Sequence, residues 1–193
     1  MQLTLVVIHG VPGAGKSTLM PKLRRDLNLP AIGKDQIKEN LYDTVGTGDL
    51  RWKEMLGRAS IRMLYHVADE VLALEQSLII ENAFFKEFAA QELADLAHKH
   101  QARIIEVYCK LAVAMAKKRF IERQESGQRH PGHQDNLHAQ IINNPAFWRR
   151  YDPLDIGTRL DFDTSKPDEV AYQRLLITLR NILQEAKHAP ATN

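Results

Sequence analysis

Five short apolar runs alternate with longer amphipathic segments along the chain. The first run is rich in β-branched residues, which is typical of a strand that is buried on both faces of a sheet, whereas the last run is more amphipathic. The five runs span residues 3–8, 29–33, 77–82, 102–109 and 159–164. Segments with helical spacing lie between and after them, at residues 18–27, 50–76, 86–100, 112–124 and 168–186. This alternation predicts a doubly wound, parallel five-stranded α/β sheet with helices on both faces.

The longest predicted helix, residues 50–76, carries an apolar stripe. Its members recur every three or four positions and are therefore expected to face the core. They are Leu56, Ala59, Met63, Val67, Val71 and Leu74. The turn-rich segment 43–49 before this helix predicts a loop. Near the end of the chain, Ser165 and Asp168 form a capping-box pattern that predicts the start of the last helix.

The composition favours a single domain that spans residues 1–193. This length allows one substantial core but is short for two. The 26 basic and 24 acidic residues nearly cancel, which argues against a protein that coats nucleic acid. Cys109 is the only cysteine, so we expect no intrachain disulfide and a cytoplasmic location. The first apolar run ends at His9 without a basic leader, so neither a signal peptide nor a membrane span is expected.

The most specific motif follows the first apolar run. Residues Gly10-Val11-Pro12-Gly13-Ala14-Gly15-Lys16-Ser17-Thr18 match the pattern G-x-x-x-x-G-K-[ST] throughout. A strand before this pattern and a helix after it are the context that it requires, because its backbone N–H groups bind phosphate oxygens at a helix N-terminus. The pattern assigns Lys16 to the β- and γ-phosphates of a nucleotide and the Ser17 hydroxyl to Mg²⁺. Lys16 is expected to be exposed in this loop.

Two carboxylates follow predicted strands. Asp35 comes just after the second apolar run, and Glu81 lies at the end of the third. In a parallel sheet the carboxyl ends of the strands form the edge at which ligands bind. We therefore expect Asp35 at the end of the strand next to the phosphate-binding loop, with Lys38 beyond it in a substrate-binding helix.

Basic residues are concentrated in the segment 117–150. Seven basic and three acidic residues give it a net charge of +4, so the rest of the chain sums to −2. Its central part, residues 126–133, is rich in helix breakers, which indicates a hinged, basic lid. Arg119 and Arg123 are four residues apart, share one helix face and are expected to meet the same triphosphate. The alternative is a solvated basic helix that pairs with its own glutamates.

Several residues of this segment leave other interpretations open. His130, His133 and His138 could form a zinc site with Cys109, but the Pro-Gly pair between the first two histidines fits a turn better. Histidines that cap the lid or touch the substrate are the favoured interpretation. Trp148 and Tyr151 could stack on a base or sugar or pack beneath the lid.

Together these motifs resemble those of the P-loop small-molecule kinases. The similarity is to the branch that contains zeta-toxin-like kinases, chloramphenicol phosphotransferase and polynucleotide 5′-hydroxyl kinase, and it spans nearly the whole chain in the order of its elements. It implies a P-loop NTPase fold with a small helical lid, ATP and Mg²⁺ as cofactors, and an acceptor hydroxyl that faces Asp35. It also assigns Arg119 and Arg123 to adenine stacking or phosphate contact. Many relatives have Asp where this chain has Glu81.

The favoured function is transfer of the ATP γ-phosphoryl group to a hydroxyl of a small molecule, by a monomer or homodimer. The catalytic residues in this hypothesis are Asp35, Lys16 and Arg123. The substrate-binding residues are Asp35, Lys38, Glu81 and Arg129. The alternative is a polynucleotide 5′-hydroxyl kinase, which is less favoured because Lys38 lacks the forked guanidinium that would bind a nucleotide 3′-phosphate.

A GTPase switch and a motor or assembly ATPase are more remote alternatives. Residues 43–46 fit the pattern D-x-x-G of a GTPase, but they do not follow a buried strand. Residues 165–168 distantly resemble a guanine-reading motif, but a helix cap already explains them. A motor ATPase would normally end its third apolar run in Asp or Asp-Glu, whereas this run ends in Glu81-Asn82.

Overall fold

A single parallel sheet organises the protein. The computed structural model describes residues 2–127, 129–133, 141–166 and 168–188. The strands are β1 (Thr4–His9), β2 (Ala31–Gly33), β3 (Leu78–Glu81), β4 (Arg103–Lys110) and β5 (Thr158–Asp163). All neighbouring strands are parallel, in the order β2-β3-β1-β4-β5. The predicted α/β fold, typical of P-loop NTPases, is confirmed.

Helices cover both faces of the sheet, as predicted. They are α1 (Lys16–Leu27), α2 (Lys34–Val45), α3 (Leu50–Ala73), α4 (Lys86–Lys99), α5 (Val113–Glu125), α6 (Pro145–Arg149) and α7 (Glu169–His188). Short 3₁₀ helices span Pro131–His133 and Ile141–Asn143. No helix in the described residues is both long and apolar enough to span a bilayer.

The central strand β1 explains why its sequence lacks alternation. All six of its residues are buried. Val6 and Ile8 pack into a core with residues of α1, α5, α6 and α7, whereas Leu5 and Val7 pack into a second core with α3 and α4. Because successive side chains of a strand point to opposite faces, a strand with a core on each side needs apolar residues at every position.

The apolar stripe predicted for α3 is confirmed only in part, because Leu56 is buried and Val71 packs against the core but other members are exposed. Met63 is 46% exposed and Leu74, which follows the helix, is 71% exposed. The buried face of α3 instead consists of Lys53, Leu56, Ser60, Leu64, Ala68 and Leu72. Ser60 can lie on this face because its hydroxyl donates a hydrogen bond of 2.6 Å to the carbonyl of Leu56.

The order of the strands corrects the predicted position of Asp35. Strand β2 lies at the edge of the sheet, and β3 separates it from β1. The carboxylate at the end of a strand next to the phosphate-binding loop is therefore Glu81. Asp35 lies in the first turn of α2, where a negative charge is favoured by the helix dipole.

Two helix boundaries also differ from the prediction. Helix α2 continues to Val45, so the loop before α3 is shorter than expected. Asp168, and not Ser165, caps α7, because the Asp168 carboxylate accepts a hydrogen bond of 2.6 Å from the N–H of Ala171. Pro167, within the predicted capping box, lies outside the described residues.

Candidate active site

The phosphate-binding loop connects β1 to α1 and depends on close backbone packing. Gly10 has a φ of +144°, and a Cβ built there would lie 2.6 Å from the carbonyl oxygen of Cys109. Gly13 has a φ of +84°, and its Cβ would lie 2.9 Å from the carbonyl oxygen of Ala116. Larger residues at these positions would displace the loop from β4 and α5. The loop then enters α1 at Lys16, so its N–H groups lie at a helix N-terminus.

Lys16 is buried in this loop, and its predicted exposure is wrong. Its side chain is folded so that Nζ donates to the carbonyl oxygens of Gly10 at 2.9 Å and Val11 at 3.0 Å. The residue is only 7% exposed, and this burial lowers the pKa of its ammonium group. The carbonyl groups of the loop therefore accept the hydrogen bonds of the Lys16 ammonium group.

One cleft of about 530 Å³ brings most of the predicted site residues together. The phosphate-binding loop forms one wall, and α2, α3 and the end of β3 form others. The predicted residues that line it are Pro12, Gly13, Gly15, Lys16, Ser17, Asp35, Lys38, Glu81, Arg123 and Arg129. We call it the central cleft. Lys34 and Lys53, for which the sequence carried no signal, also line it, together with an aromatic wall that includes Phe84.

Arg119 lies outside the central cleft. It lines a second cleft of about 270 Å³ with Gly15, Thr18, Thr164 and Tyr172. The Arg119 guanidinium donates to the carbonyl oxygens of Thr164 at 2.9 Å and Ser165 at 3.3 Å. Arg119 and Arg123 thus line different clefts, and Gly15 of the phosphate-binding loop lines both of them. That both arginines contact one triphosphate stays a prediction.

Asp35 is held between two positive side chains. Its carboxylate lies 3.0 Å from Lys34 Nζ and 3.7 Å from Arg129 Nη2, and it is half-exposed to the central cleft. Burial favours the neutral carboxyl, but the charges of Lys34 and Arg129 outweigh this effect and hold the pKa of Asp35 far below its usual range. Asp35 is therefore ionised at neutral pH and can accept a hydrogen bond.

Glu81 has the opposite electrostatic environment. It is buried at the end of β3, where a Cβ added to Gly33 would lie 2.9 Å from its Oε2. Burial raises the pKa of Glu81, and Asp35 raises it further, whereas the charge of Lys16 opposes the shift. The carboxyl groups of Asp35 and Glu81 thus differ in their readiness to ionise.

The oxygen atoms at one end of the central cleft fit Mg²⁺. Ser17 is exposed beside the loop, and the carboxylates of Asp35 and Glu81 line the same cleft. Mg²⁺ prefers oxygen ligands and is usually held by one or two protein groups together with phosphates. Within residues 2–127, 129–133, 141–166 and 168–188, no group of three His, Cys, Asp or Glu residues could hold a metal ion. These few oxygen atoms fit a Mg²⁺ ion that binds together with a nucleotide and has Ser17 as a ligand.

The lid residues 129–133 bind one face of α2. His130 Nε2 lies 2.9 Å from Asp43 Oδ1, and His133 Nε2 lies 2.8 Å from Glu39 Oε1. With Asp35, these carboxylates are spaced four residues apart, so they lie on the same side of the helix. The spacing was visible in the sequence, but nothing in it indicated that the lid would be the partner.

Hydrogen bonding defines the protonation of His133. Arg129 can only donate, so His133 Nδ1 accepts from it at 3.1 Å and Nε2–H must donate to Glu39. Burial lowers the pKa of His133 to about 3, and the charge of Arg129 adds to this effect. His133 is therefore neutral.

Among the described residues, no set of ligands supports the zinc alternative. His130 and His133 contact carboxylates of α2, and Cys109 is buried beside Gly10. His138 lies outside the described residues. Trp148 packs into the core and donates through Nε1 to the carbonyl of Ile142 at 2.8 Å, so stacking on a base is not its role.

The comparisons with known proteins agree with this geometry. The sequence profile of a family described as an AAA domain matches residues 5–145, which include the phosphate-binding loop, α2 and α5. The chain belongs to this family. No curated protein sequence matches it.

Solved structures share the fold over nearly the whole chain. A predicted kinase from Chloroflexus aurantiacus is 29% identical, with a TM-score of 0.84 over 94% of this chain and 98% of that chain. The APS kinase CysC of Mycobacterium tuberculosis, solved with AMPPNP and APS, is 17% identical, with a TM-score of 0.57 over 95% and 98% of the two chains. A shikimate kinase from Bacteroides thetaiotaomicron is 15% identical, with a TM-score of 0.52 over 94% and 98%.

Proposed function

We propose that this protein is an ATP-dependent kinase that transfers the γ-phosphoryl group to a hydroxyl of a small molecule. The observation that carries the proposal is that Lys16 and Ser17 of the phosphate-binding loop line the same cleft as the ionised Asp35. A phosphate donor and a hydroxyl acceptor could thus meet within one space. The similarity to a predicted kinase and the fold shared with solved small-molecule kinases support this proposal.

Asp35 would receive the acceptor. Its ionised carboxylate can accept the hydrogen bond of the attacking hydroxyl and take its proton as the new P–O bond forms. Phosphoryl transfer passes through a loose transition state that needs little activation of the nucleophile, so a weak base suffices when it is well placed. The first turn of α2 and the contact with Lys34 fix this position.

Lys16 and Arg123 would stabilise the charge that develops on the phosphoryl oxygens. Both line the central cleft at the phosphate-binding loop, from α1 and from α5. Positive groups that are held in place before the reaction stabilise a transition state without reorganisation. When bound, Mg²⁺ supplies charge neutralisation between the phosphates, and Ser17 is the residue that would hold it.

The size of the central cleft favours a small acceptor over a nucleic-acid end. Its volume of about 530 Å³ lies within the range of about 300–1,000 Å³ of small-ligand sites. A polynucleotide would also need a basic track along the surface. The positive side chains in this cleft are instead largely buried, as Lys16 and Lys38 are.

The test is ATP turnover with and without a pool of hydroxyl-bearing metabolites, with the phosphorylated product identified by mass. We expect turnover that depends on the acceptor and is abolished by Lys16→Met. Lys99→Met is the matched control, because Lys99 is exposed and pairs with Asp69 away from the cleft. Acceptor-independent hydrolysis would favour an ATPase or switch. Phosphorylation of oligonucleotide 5′ ends, with binding that weakens steeply with salt, would favour the polynucleotide alternative.

A further inference from the structure

Two lysines are buried in the central cleft, and one of them lies one helical turn beyond Asp35. Lys38 lies on α2 and is 5% exposed, and Lys53 lies in the first part of α3 and is 8% exposed. Both side chains line the cleft. A buried ammonium group is costly unless an anion or several hydrogen-bond acceptors compensate its charge. The burial of Lys38 in a ligand-sized cleft therefore calls for an explanation.

The surroundings of Lys38 do not supply a counter-charge. Among the described residues, no carboxylate lies within 4.0 Å of its Nζ, which instead lies 5.4 Å from the centre of the Tyr42 ring. The nearby carboxylate of Asp35 is already held by Lys34 and Arg129. Burial and the positive charges of Lys34 and Lys53 lower the pKa of Lys38 to about 8. Lys38 thus remains without a close anion in a positive environment.

The opposite helix makes room for this ammonium group. Gly57 follows Lys53 by one turn of α3, and a Cβ added to it would lie 3.7 Å from Lys38 Nζ. The Lys38 side chain therefore reaches across the cleft towards the face of α3 that carries Lys53. Lys38 of α2 and Lys53 of α3 therefore place their ammonium groups at the same end of the cleft.

The other walls of the cleft are suited to a short carbon skeleton. Tyr65 and Phe84 stack with their ring centres 6.4 Å apart and line the cleft together with Ile61. A ligand in this space would thus meet the ionised carboxylate of Asp35, an apolar wall and a pair of ammonium groups, and Glu54 and Glu92 also line the cleft.

We propose that the phosphate acceptor is a small hydroxy compound that carries a carboxylate, sulfate or phosphate group, and that Lys38 and Lys53 bind this anion while Asp35 receives the hydroxyl. The inference rests on the proposed kinase function. In this proposal α2 and α3 determine which acceptor binds, whereas the phosphate-binding loop binds the nucleotide. Lys38 is then a substrate-binding residue whose charge is compensated when the acceptor binds.

The first test does not require the acceptor to be known. AMPPNP with Mg²⁺ fills the phosphate-binding loop, and sodium sulfate, phosphate or acetate is then titrated while the unfolding temperature is measured. An anion that binds the native protein raises this temperature, and the stabilisation grows with the logarithm of 1 + [anion]/Kd. We expect such a rise for the wild-type protein, its loss in Lys38→Met and its partial recovery in Lys38→Arg. Lys99→Met should behave as wild type.

The second test uses matched acceptors. Gluconate is compared with sorbitol, and glucose 6-phosphate with glucose, with the product identified by mass. We expect transfer to a charged member of a pair and not to its neutral partner. Lys38→Met should raise the acceptor KM by roughly 10- to 100-fold, as expected for the loss of a charge-assisted hydrogen bond, with the ATP KM unchanged. The response to sulfate and phosphate against acetate distinguishes the two anion classes.

The outcomes separate this inference from the proposed function. If no anion stabilises the AMPPNP-bound protein, or if neutral hydroxyl compounds are phosphorylated equally well by wild type and Lys38→Met, the anion site is refuted and the kinase function stands. If AMPPNP itself does not bind, the proposed function fails. Anion binding that depends on Lys38 supports the inference even when neither pair contains the natural acceptor.

Discussion

Arg129 joins the lid to the carboxylate that we place at the acceptor. Its Nη2 lies 3.7 Å from Asp35 Oδ2 and donates to His133 Nδ1 at 3.1 Å. One guanidinium therefore contacts both α2 and the residue by which the lid is bonded to Glu39. This arrangement links the position of the lid to the electrostatic state of the site.

We predict that nucleotide binding protects the lid residues 129–133 from hydrogen exchange. The segment is basic, is bonded to α2 through side chains and is expected to close over bound phosphates. Exchange is measured by mass spectrometry with and without AMPPNP and Mg²⁺, with β1 as the internal control. His133→Ala should lower the protection in both states. Equal protection of the wild-type lid with and without nucleotide would refute the prediction.

Arg119 and Arg123 should have separable kinetic effects because they line different clefts. Arg123→Ala should lower kcat more than it raises the ATP KM, since Arg123 lies in the cleft with Lys16. Arg119→Ala should mainly raise the ATP KM, since Arg119 shapes the neighbouring cleft through its bonds to Thr164 and Ser165. Steady-state kinetics at varied ATP measure both variants. Identical profiles for the two variants would contradict the assignment.

Asp35→Asn should lower turnover by roughly 10² to 10⁴ while ATP with Mg²⁺ still binds, because the amide cannot take the acceptor proton. Glu81→Gln is the comparison, since Glu81 lies at the end of β3 next to the phosphate-binding loop. Turnover is measured with the best acceptor of the screen, and ATP affinity by calorimetry. Full turnover in Asp35→Asn with a large loss in Glu81→Gln would make Glu81 the base.

The neutral His133 should make stability depend on pH. Its pKa is lowered to about 3 in the folded protein, chiefly by burial, whereas the unfolded chain takes up the proton near the ordinary value of 6.5. The unfolded state therefore binds more protons in this range, and stability falls as the pH decreases from 6.5 towards 3. Between pH 7 and 5 this contribution amounts to about 2 kcal/mol for one such group.

Urea unfolding of wild type and His133→Gln at pH 7 and pH 5 measures this effect. The variant should lose about 2 kcal/mol less than wild type over this interval, because the glutamine does not titrate. His9 is present in both proteins and has a pKa lowered to about 4, mainly by burial, so its contribution cancels in the difference. Equal pH dependence of the two proteins would show that His133 is not held neutral.

The local pattern of the sequence determined the phosphate-binding loop and the elements around it. An apolar run, G-x-x-x-x-G-K-S and a helical segment are contiguous, so their geometry depends on short-range backbone preferences and on burial. The same holds for the alternation of strands and helices that indicated the parallel sheet. These interactions are between neighbours in sequence, so periodicity alone could predict them.

Contacts between distant parts of the chain decided the rest of the site. The position of β3 between β2 and β1 is a matter of strand pairing, and it made Glu81 and not Asp35 the carboxylate next to the loop. The buried face of α3 depended on a serine that could bond its own helix, which its hydropathy does not reveal. Lys16 is buried because the carbonyl groups of its own loop accept its hydrogen bonds. The lid contacts the carboxylates of α2. Their regular spacing was visible in the sequence, but their partners lie almost a hundred residues away and could be identified only in the folded chain.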